Sequence, residues 1–181
     1  MPLNNIDLQQ VREYRDLIVK DPKEARFTAK VEGEWLFEEG GPQFRSRVNV
    51  RDGVYPMEAS HPNFMKAGVC PGPMAFGLFW FAACYTSTFV TEAAMRNIRL
   101  TSVRTRVEAD LDYTAQFDLG DTPLIHGYRV IMEVAGEADD RALHDLKDYA
   151  LDKCMGMFTI RNAIPLDVEL KISGKNGTPG S

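Results

Sequence analysis

The sequence predicts an α+β fold with antiparallel sheets, and three observations support this prediction. Apolar and polar side chains alternate every second residue in stretches on both sides of a central segment, which is typical of antiparallel strands with one solvated face. The central segment, from Met74 to Thr91, carries no charge. Near each end of the chain the apolar residues instead recur at helical spacing. Strands grouped around helices, rather than alternating singly with them, favour α+β over α/β.

The N-terminal part predicts a helix followed by a three-stranded meander. The helix spans Asp7 to Lys20, with its apolar residues on one stripe, and Asp21-Pro22 ends it. The strands are separated by turn sequences, Gly40-Gly41-Pro42 and Asp52-Gly53. Their predicted ranges are Phe27 to Phe37, Phe44 to Val50 and about Val54 to Glu58.

The uncharged segment predicts a long central helix, entered through a proline-rich loop from Ser60 with Pro73 in its first turn. Its length raises the alternative of a membrane span. Five of the seven positions from Tyr85 to Thr91 carry a hydroxyl group, and no cluster of Lys or Arg flanks the segment. These features disfavour a membrane span. A helix that is apolar all round belongs in a large core or between subunits, so we expect a homodimer that shares it.

After the central helix the sequence predicts two strands, a helix and a last strand. The helix begins at Asp139 or Asp140 and runs to about Cys154, with Cys154 on its apolar stripe. The strands alternate apolar and polar residues over Val103 to Tyr113, Tyr128 to Val134 and Leu166 to Ile172. The predicted organisation is an N-terminal helical extension (1–24), one domain (25–172) and a disordered tail (173–181).

Composition excludes several classes of function. With a net charge of −5 and scattered basic residues, the chain lacks the positive patch of a nucleic-acid binder. The three cysteines, without a basic-then-apolar start, indicate a reducing compartment, and we expect a cytoplasmic protein. His61, Cys70 and Cys84 lack the short spacings of a zinc site. No glycine-rich phosphate loop is visible, so neither a metal nor a cofactor is expected.

Cys84 and Cys154 are the candidate chemical groups. Cys84 lies in the middle of the uncharged helix, and Cys154 lies on the apolar stripe of a second helix. A thiol in such surroundings is either inert packing or a redox group. The residues alone leave both readings open.

Three motifs in the second half of the chain carry a resemblance to a known family. They are Phe81-Ala-Ala-Cys84 in the central helix, Asp152-Lys-Cys154 about 70 residues on, and Arg161-Asn-Ala-Ile-Pro-Leu-Asp-Val-Glu-Leu170. Together with the order of elements, they resemble the OsmC/Ohr superfamily over roughly residues 25 to 172. The N-terminal helix is similar to the extension of a longer OsmC-like subgroup.

The resemblance implies an intertwined homodimer with two antiparallel sheets around the central helices. It also implies a thiol-dependent peroxidase that reduces organic hydroperoxides. Cys84 would attack the peroxide and become a sulfenic acid, Cys154 would resolve it as a disulfide, and a thiol reductant would reset the pair.

A cation is needed at such a site, because burial of Cys84 among aromatic residues disfavours the reactive thiolate. The resemblance assigns this role to an arginine after the first hairpin, where Arg45 fits best and Arg47 is second. The glutamate that pairs with this arginine in the peroxidases is replaced by Met74. Arg45 is therefore expected to point elsewhere or to find another carboxylate such as Glu58. A proline expected after the second cysteine is replaced by Met155.

Two alternatives accompany the peroxidase reading. In the first, a non-peroxidatic OsmC-like protein binds an apolar small molecule in a pocket at the dimer interface. The residues proposed to line that pocket are Met74, Phe76, Phe79, Trp80 and Phe81. In the second, the cysteines are inert.

Overall fold

Helices and antiparallel strands form separate groups along the chain, as the sequence predicts. The computed structural model describes residues 2–63 and 70–172. The predicted tail, 173–181, and part of the predicted loop, 64–69, lie outside these residues. The helices are α1 (Leu8–Lys20), α2 (Pro73–Met95), α3 (Asp140–Lys153) and α4 (Met155–Arg161), and the strands are β1 (Gly33–Trp35), β2 (Phe44–Val50), β3 (Gly53–Ala59), β4 (Leu100–Leu111) and β5 (Ile125–Gly136).

The N-terminal helix α1 confirms the prediction. Asp7 caps it, because the carboxylate accepts hydrogen bonds from the backbone N–H groups of Gln9 and Gln10. The segment before the helix is fixed to the rest of the fold by Asn4. Its amide donates to the Ile98 carbonyl at 2.8 Å and accepts from the Leu100 N–H at 2.9 Å. A short polar segment thus ties the N-terminus to the connection between α2 and β4.

Strands β1, β2 and β3 form an antiparallel sheet in that order. Strand β2 has the predicted bounds, and β3 extends its predicted range by one residue at each end. The prediction of a strand from Phe27 to Phe37 is wrong outside Gly33–Trp35. Alternation makes an extended segment amphipathic, but a strand also needs hydrogen bonds from a neighbour. Strand β2 supplies a partner for only these three residues.

The core lies where α2 packs on the second half of the chain. Phe81, Tyr85 and Phe89 recur every four residues, so they share one face of α2, and all three are buried. They form one cluster with Leu146 and Ala150 of α3 and with residues of the α3–α4 junction. The hairpin of β4 and β5 completes this core with partly buried side chains, Val107, Val130, Met132 and Val134.

The other faces of α2 are exposed in the single chain. Phe79 has 71% of its surface exposed and Trp80 48%. By length and composition α2 could cross a membrane, but its buried face packs on α3, α4 and β4. Helix α2 is therefore a core helix, and its remaining faces are left uncovered by the described residues.

Helix α3 confirms the predicted helix, with Asp139 as its N-cap. Helix α4 was not predicted. Cys154 adopts an extended backbone (φ −77°, ψ 125°) between the two helices, so the chain bends there and begins a new helix at Met155.

The prediction of a strand from Leu166 to Ile172 is wrong, because these residues form neither helix nor strand. Their apolar side chains alternate as predicted, but they are almost fully exposed, Leu166 at 87%. No described strand pairs with this segment. Alternation alone does not make a strand without a sheet edge beside it.

We predict that Leu146→Ala destabilises the protein by about 2–5 kcal/mol, because Leu146 is fully buried and its truncation leaves a cavity in the core. Leu166→Ala is the matched control, since the same truncation at an exposed site should cost less than about 0.5 kcal/mol. Denaturant unfolding monitored by circular dichroism measures both. An equal loss in the two variants would contradict the exposed position of Leu166.

Candidate functional site

The fold brings the two predicted cysteines together. Cys84 comes from the middle of α2 and Cys154 from the junction of α3 and α4, 70 residues away in sequence. Their sulfurs lie 3.3 Å apart, and the Cys154 thiol donates a weak hydrogen bond to the Cys84 sulfur. Since a disulfide bond is about 2.05 Å long, a shift of little more than an ångström would join them. The pair can therefore support thiol–disulfide chemistry.

The two thiols differ in their access to solvent. Cys154 is 1% exposed, whereas Cys84 is only partly buried. Cys154 is held by its backbone: its N–H donates to the Ala150 carbonyl at the end of α3, and its carbonyl accepts from the Phe158 N–H in α4. A reagent from solvent therefore meets Cys84 first, with Cys154 behind it.

Burial raises the pKa of the Cys84 thiol above its ordinary value, and this is the largest influence on it. The backbone N–H groups of Gly156 and Met155 act in the opposite direction, because they donate to the sulfur and favour the thiolate. The neighbouring Cys154 adds to the rise. Among the described groups that shift this pKa, none is a cation. The single chain therefore favours the neutral thiol at Cys84.

Gly156 is a part of the site that the sequence analysis missed. A Cβ atom there would lie 3.4 Å from the Cys84 Cβ, 3.5 Å from its sulfur and 3.4 Å from the Phe81 ring. Gly156 is buried, so the backbone of α4 lies directly against the Cys84 side chain on this side. The available signal was a glycine two residues after the second cysteine, but only the unpredicted bend at Cys154 brings it to Cys84.

The two predicted arginines lie on β2, away from the thiols. Arg45 faces Glu58 across the β2–β3 pair, and its Nε donates to the Glu58 carboxylate at 2.9 Å. This is the alternative carboxylate that the sequence analysis named. Arg47 lies opposite Pro56. Neither arginine is among the groups that act on Cys84 within the described chain.

The predicted pocket residues do not gather in one place within the chain. Phe81 is in the core, whereas Phe79 and Trp80 are exposed on other faces of α2. Phe76 lines an apolar cavity of about 410 Å³ against the N-terminal sheet, and Met74 lines a different one.

Other candidate groups stay apart from the pair. Cys70 accepts a long hydrogen bond, 3.8 Å, from the Ser60 hydroxyl in the loop before α2. Among the described residues there is no group of three or more His, Cys, Asp or Glu side chains that could hold a metal ion.

Comparison with known proteins identifies the family. The sequence profile described as OsmC-like protein matches residues 66–169, which include both cysteines, Gly156 and most of the core. The chain belongs to the OsmC-like family.

Solved structures agree with this membership at the level of the fold. The OsmC-like protein from Mycoplasma pneumoniae superposes with a TM-score of 0.53 at 15% identity, over 75% of this chain and 89% of that one. A putative osmotic stress induced and detoxification response protein from Psychrobacter arcticus gives 0.56 at 12% identity, over 74% and 89%. At these identities the likeness shows the OsmC-like fold alone. Among curated proteins, no sequence matches the chain.

We predict that Gly156→Ala slows the alkylation of Cys84 in this OsmC-like protein several-fold, because the new methyl group would contact the sulfur and crowd the tetrahedral space that the alkylating reagent must enter. Gly77→Ala is the control. It places the same substitution in a helix, where the new Cβ meets nothing within 4 Å. Alkylation by iodoacetamide, followed by peptide mass spectrometry, gives the rate at Cys84. An unchanged rate in Gly156→Ala would show that reagents approach from another side.

Proposed function

We propose that this OsmC-like protein reduces organic hydroperoxides through a redox cycle of Cys84 and Cys154. The observation that carries the proposal is the 3.3 Å separation of the two sulfurs, one accessible and one buried. A buried thiol directly behind an accessible one suits a resolving role, because it can reach a sulfenic acid before a second oxidant does. Inert packing does not require this pairing.

In the first step, the Cys84 thiolate attacks one oxygen of the hydroperoxide and the O–O bond breaks. The other oxygen leaves with the organic group, takes up a proton and becomes an alcohol, while Cys84 becomes a sulfenic acid. The Cys154 sulfur then attacks the Cys84 sulfur, a disulfide forms, and the hydroxyl group leaves as water. A thiol reductant supplies two electrons to restore both thiols, for which a reducing compartment such as the cytoplasm is suited.

The first step needs the thiolate, which burial disfavours at Cys84. The Met155 and Gly156 amides compensate in part. A guanidinium group would add a permanent charge, and we assign that role to Arg45, with Arg47 as the second choice. Arg45 of β2 is paired with Glu58 of β3 and is not among the groups that act on Cys84 of its own chain. The proposed role therefore requires a second copy of the chain.

A homodimer is therefore part of the proposal, and the exposed apolar surface supports it. Phe79 and Trp80 on α2 are exposed, as are Trp35 and Phe44 on the N-terminal sheet. Large aromatic side chains in such numbers mark an association surface. A second copy would cover them and complete the burial of α2.

A second candidate function is the binding of an apolar molecule without peroxide chemistry. The cavity of about 410 Å³ next to Phe76 supports it, since Trp35, Phe44 and Met57 make its lining almost entirely apolar. In this alternative the cysteine pair has no catalytic role.

We predict that one equivalent of cumene hydroperoxide converts the reduced protein to a form with two fewer thiols and a linked Cys84–Cys154 peptide. Cys84→Ser should abolish hydroperoxide consumption in the presence of a dithiol. Cys154→Ser should still consume the first equivalent but accumulate a sulfenic acid that dimedone traps. Intact-mass and peptide mass spectrometry measure these states. If Cys84 stays reduced in excess hydroperoxide, the peroxidase proposal is contradicted and the binding alternative is favoured.

Three further variants are measured in the same assay. Cys70→Ser should leave the reaction unchanged, because Cys70 contacts Ser60 rather than the pair. Arg45→Met should slow the oxidation of Cys84 by tenfold or more, which corresponds to about 1.4 kcal/mol or more. Arg47→Met is the matched control, since Arg47 lies on the same strand opposite Pro56, and it should change the rate little. Equal effects of the two arginine variants would remove the assignment to Arg45.

We predict that the protein is a dimer in solution and that Phe79→Asp shifts it towards monomer, because a carboxylate would have to be buried in the interface. Val19→Asp is the control, since Val19 is exposed to the same degree (72%) but lies on α1. Light scattering coupled to size-exclusion chromatography measures the mass. A monomeric wild type, or a Phe79→Asp variant as dimeric as the control, would contradict the proposed interface.

A further inference from the structure

A groove separate from the cysteine pair runs beside the core. It has a volume of about 620 Å³ and lies between α2, β5, α3 and α4. Phe81 and Phe89 of α2 form one wall, and Val130 and Met132 of β5 form the other. Neither Cys84 nor Cys154 lines it. Its size falls within the range of about 300–1,000 Å³ that is usual for small-molecule sites.

The charged residues that line this groove, Lys147 and Arg161, are both basic. His144, Lys147 and Arg161 line it, and no Asp or Glu is among its described lining residues. The protein as a whole carries a net charge of −5. The basic rim of the groove therefore contrasts with the negative net charge of the chain. Together with the apolar floor, it complements a molecule with an anionic head and an apolar tail.

The basic side chains are held loosely enough to bind such a head group. Lys147 pairs with Asp148 at 3.0 Å, but both side chains are more than half exposed, and exposed pairs contribute little free energy. Arg161 donates to the Leu151 carbonyl at 3.4 Å, at the limit of a hydrogen bond. Both can turn to a new partner at little cost.

We propose that this groove binds an aliphatic monocarboxylate. The alkyl chain lies between α2 and β5, where burial of apolar surface supplies the affinity. The carboxylate is bound by Lys147 and Arg161, and the guanidinium group of Arg161 can donate two parallel hydrogen bonds to it. This proposal does not rest on the hydroperoxide reaction, because neither thiol lines the groove.

The test uses the reduced full-length protein and three probes with the same ten-carbon chain: decanoate, decan-1-ol and decyltrimethylammonium. Isothermal titration calorimetry should show decanoate binding about tenfold or more tightly than the other two, as expected for a charge-assisted contact. Equal affinity for decanoate and decan-1-ol would overturn the assignment of the carboxylate. Absence of decanoate binding would overturn the site.

Substitutions at the rim test the two basic residues. Lys147→Gln and Arg161→Gln should each weaken decanoate binding several-fold and leave the binding of decan-1-ol unchanged. Lys153→Gln is the matched control, because Lys153 lies on the same helix as Lys147 and is exposed but does not line the groove. If Lys153→Gln weakened decanoate binding as much as Lys147→Gln, the effect would come from the overall charge of the protein rather than from a contact in the groove. That result would contradict the proposal.

Methionine methyl NMR locates the bound ligand without any substitution in the core. Met132 and Met157 both line the groove, whereas Met155 is exposed and Met57 lines the other apolar cavity. With ¹³C-methyl-labelled methionine, decanoate should shift the signals of Met132 and Met157 and leave those of Met155 and Met57 in place. Shifts at Met57 alone would assign decanoate to the other cavity and overturn the proposal.

Discussion

The packing of α2 against the α3–α4 junction is the interaction on which both the core and the candidate site depend. Phe81, Tyr85 and Phe89 form the buried face of α2, and the Tyr85 hydroxyl donates to the Lys147 carbonyl of α3 at 3.2 Å. The same contact fixes the rotation of α2 about its axis. Cys84, one residue before Tyr85, is thereby turned towards Cys154. The position of the sulfur pair is thus a consequence of core packing rather than a separate local arrangement.

Because core packing positions the site, two opposing effects act on the pKa of the Cys84 thiol. The core that sets the sulfurs 3.3 Å apart also removes Cys84 from water and raises its pKa. The break between α3 and α4 partly offsets this, because it directs two backbone N–H groups at the sulfur. Backbone donors can do this in an apolar environment without burying a full charge. No cation among the described residues adds to this effect.

The sequence predicted those elements whose formation depends on local signals. The caps at Asp7 and Asp139, the Pro73 start of α2 and the turn at Asp52-Gly53 are local, and α1, α2, α3, β2 and β3 were predicted near their observed bounds. Alternation correctly predicted β4 and β5, which pair with each other. It also predicted strands over Phe27 to Phe37 and Leu166 to Ile172, because alternation records amphipathicity but not whether a neighbouring strand is present. The pairing of Cys84 with Cys154 was predicted from the family resemblance. The position of Gly156 next to Cys84 was predicted neither from local signals nor from the resemblance, because it depends on a bend at Cys154 that has no sequence signal.

The proposed dimer would cover the exposed faces of α2 and of the N-terminal sheet. Within the described chain, Arg45 of β2 pairs with Glu58 and is not among the groups that act on Cys84. The pairing with Glu58 holds the Arg45 side chain across the β2–β3 strand pair. In the proposed dimer, less conformational entropy would therefore be lost when Arg45 meets a second copy. The proposed role of Arg45 therefore does not depend on the glutamate that the family resemblance places at position 74, because Glu58 on the neighbouring strand is the carboxylate that engages the guanidinium group.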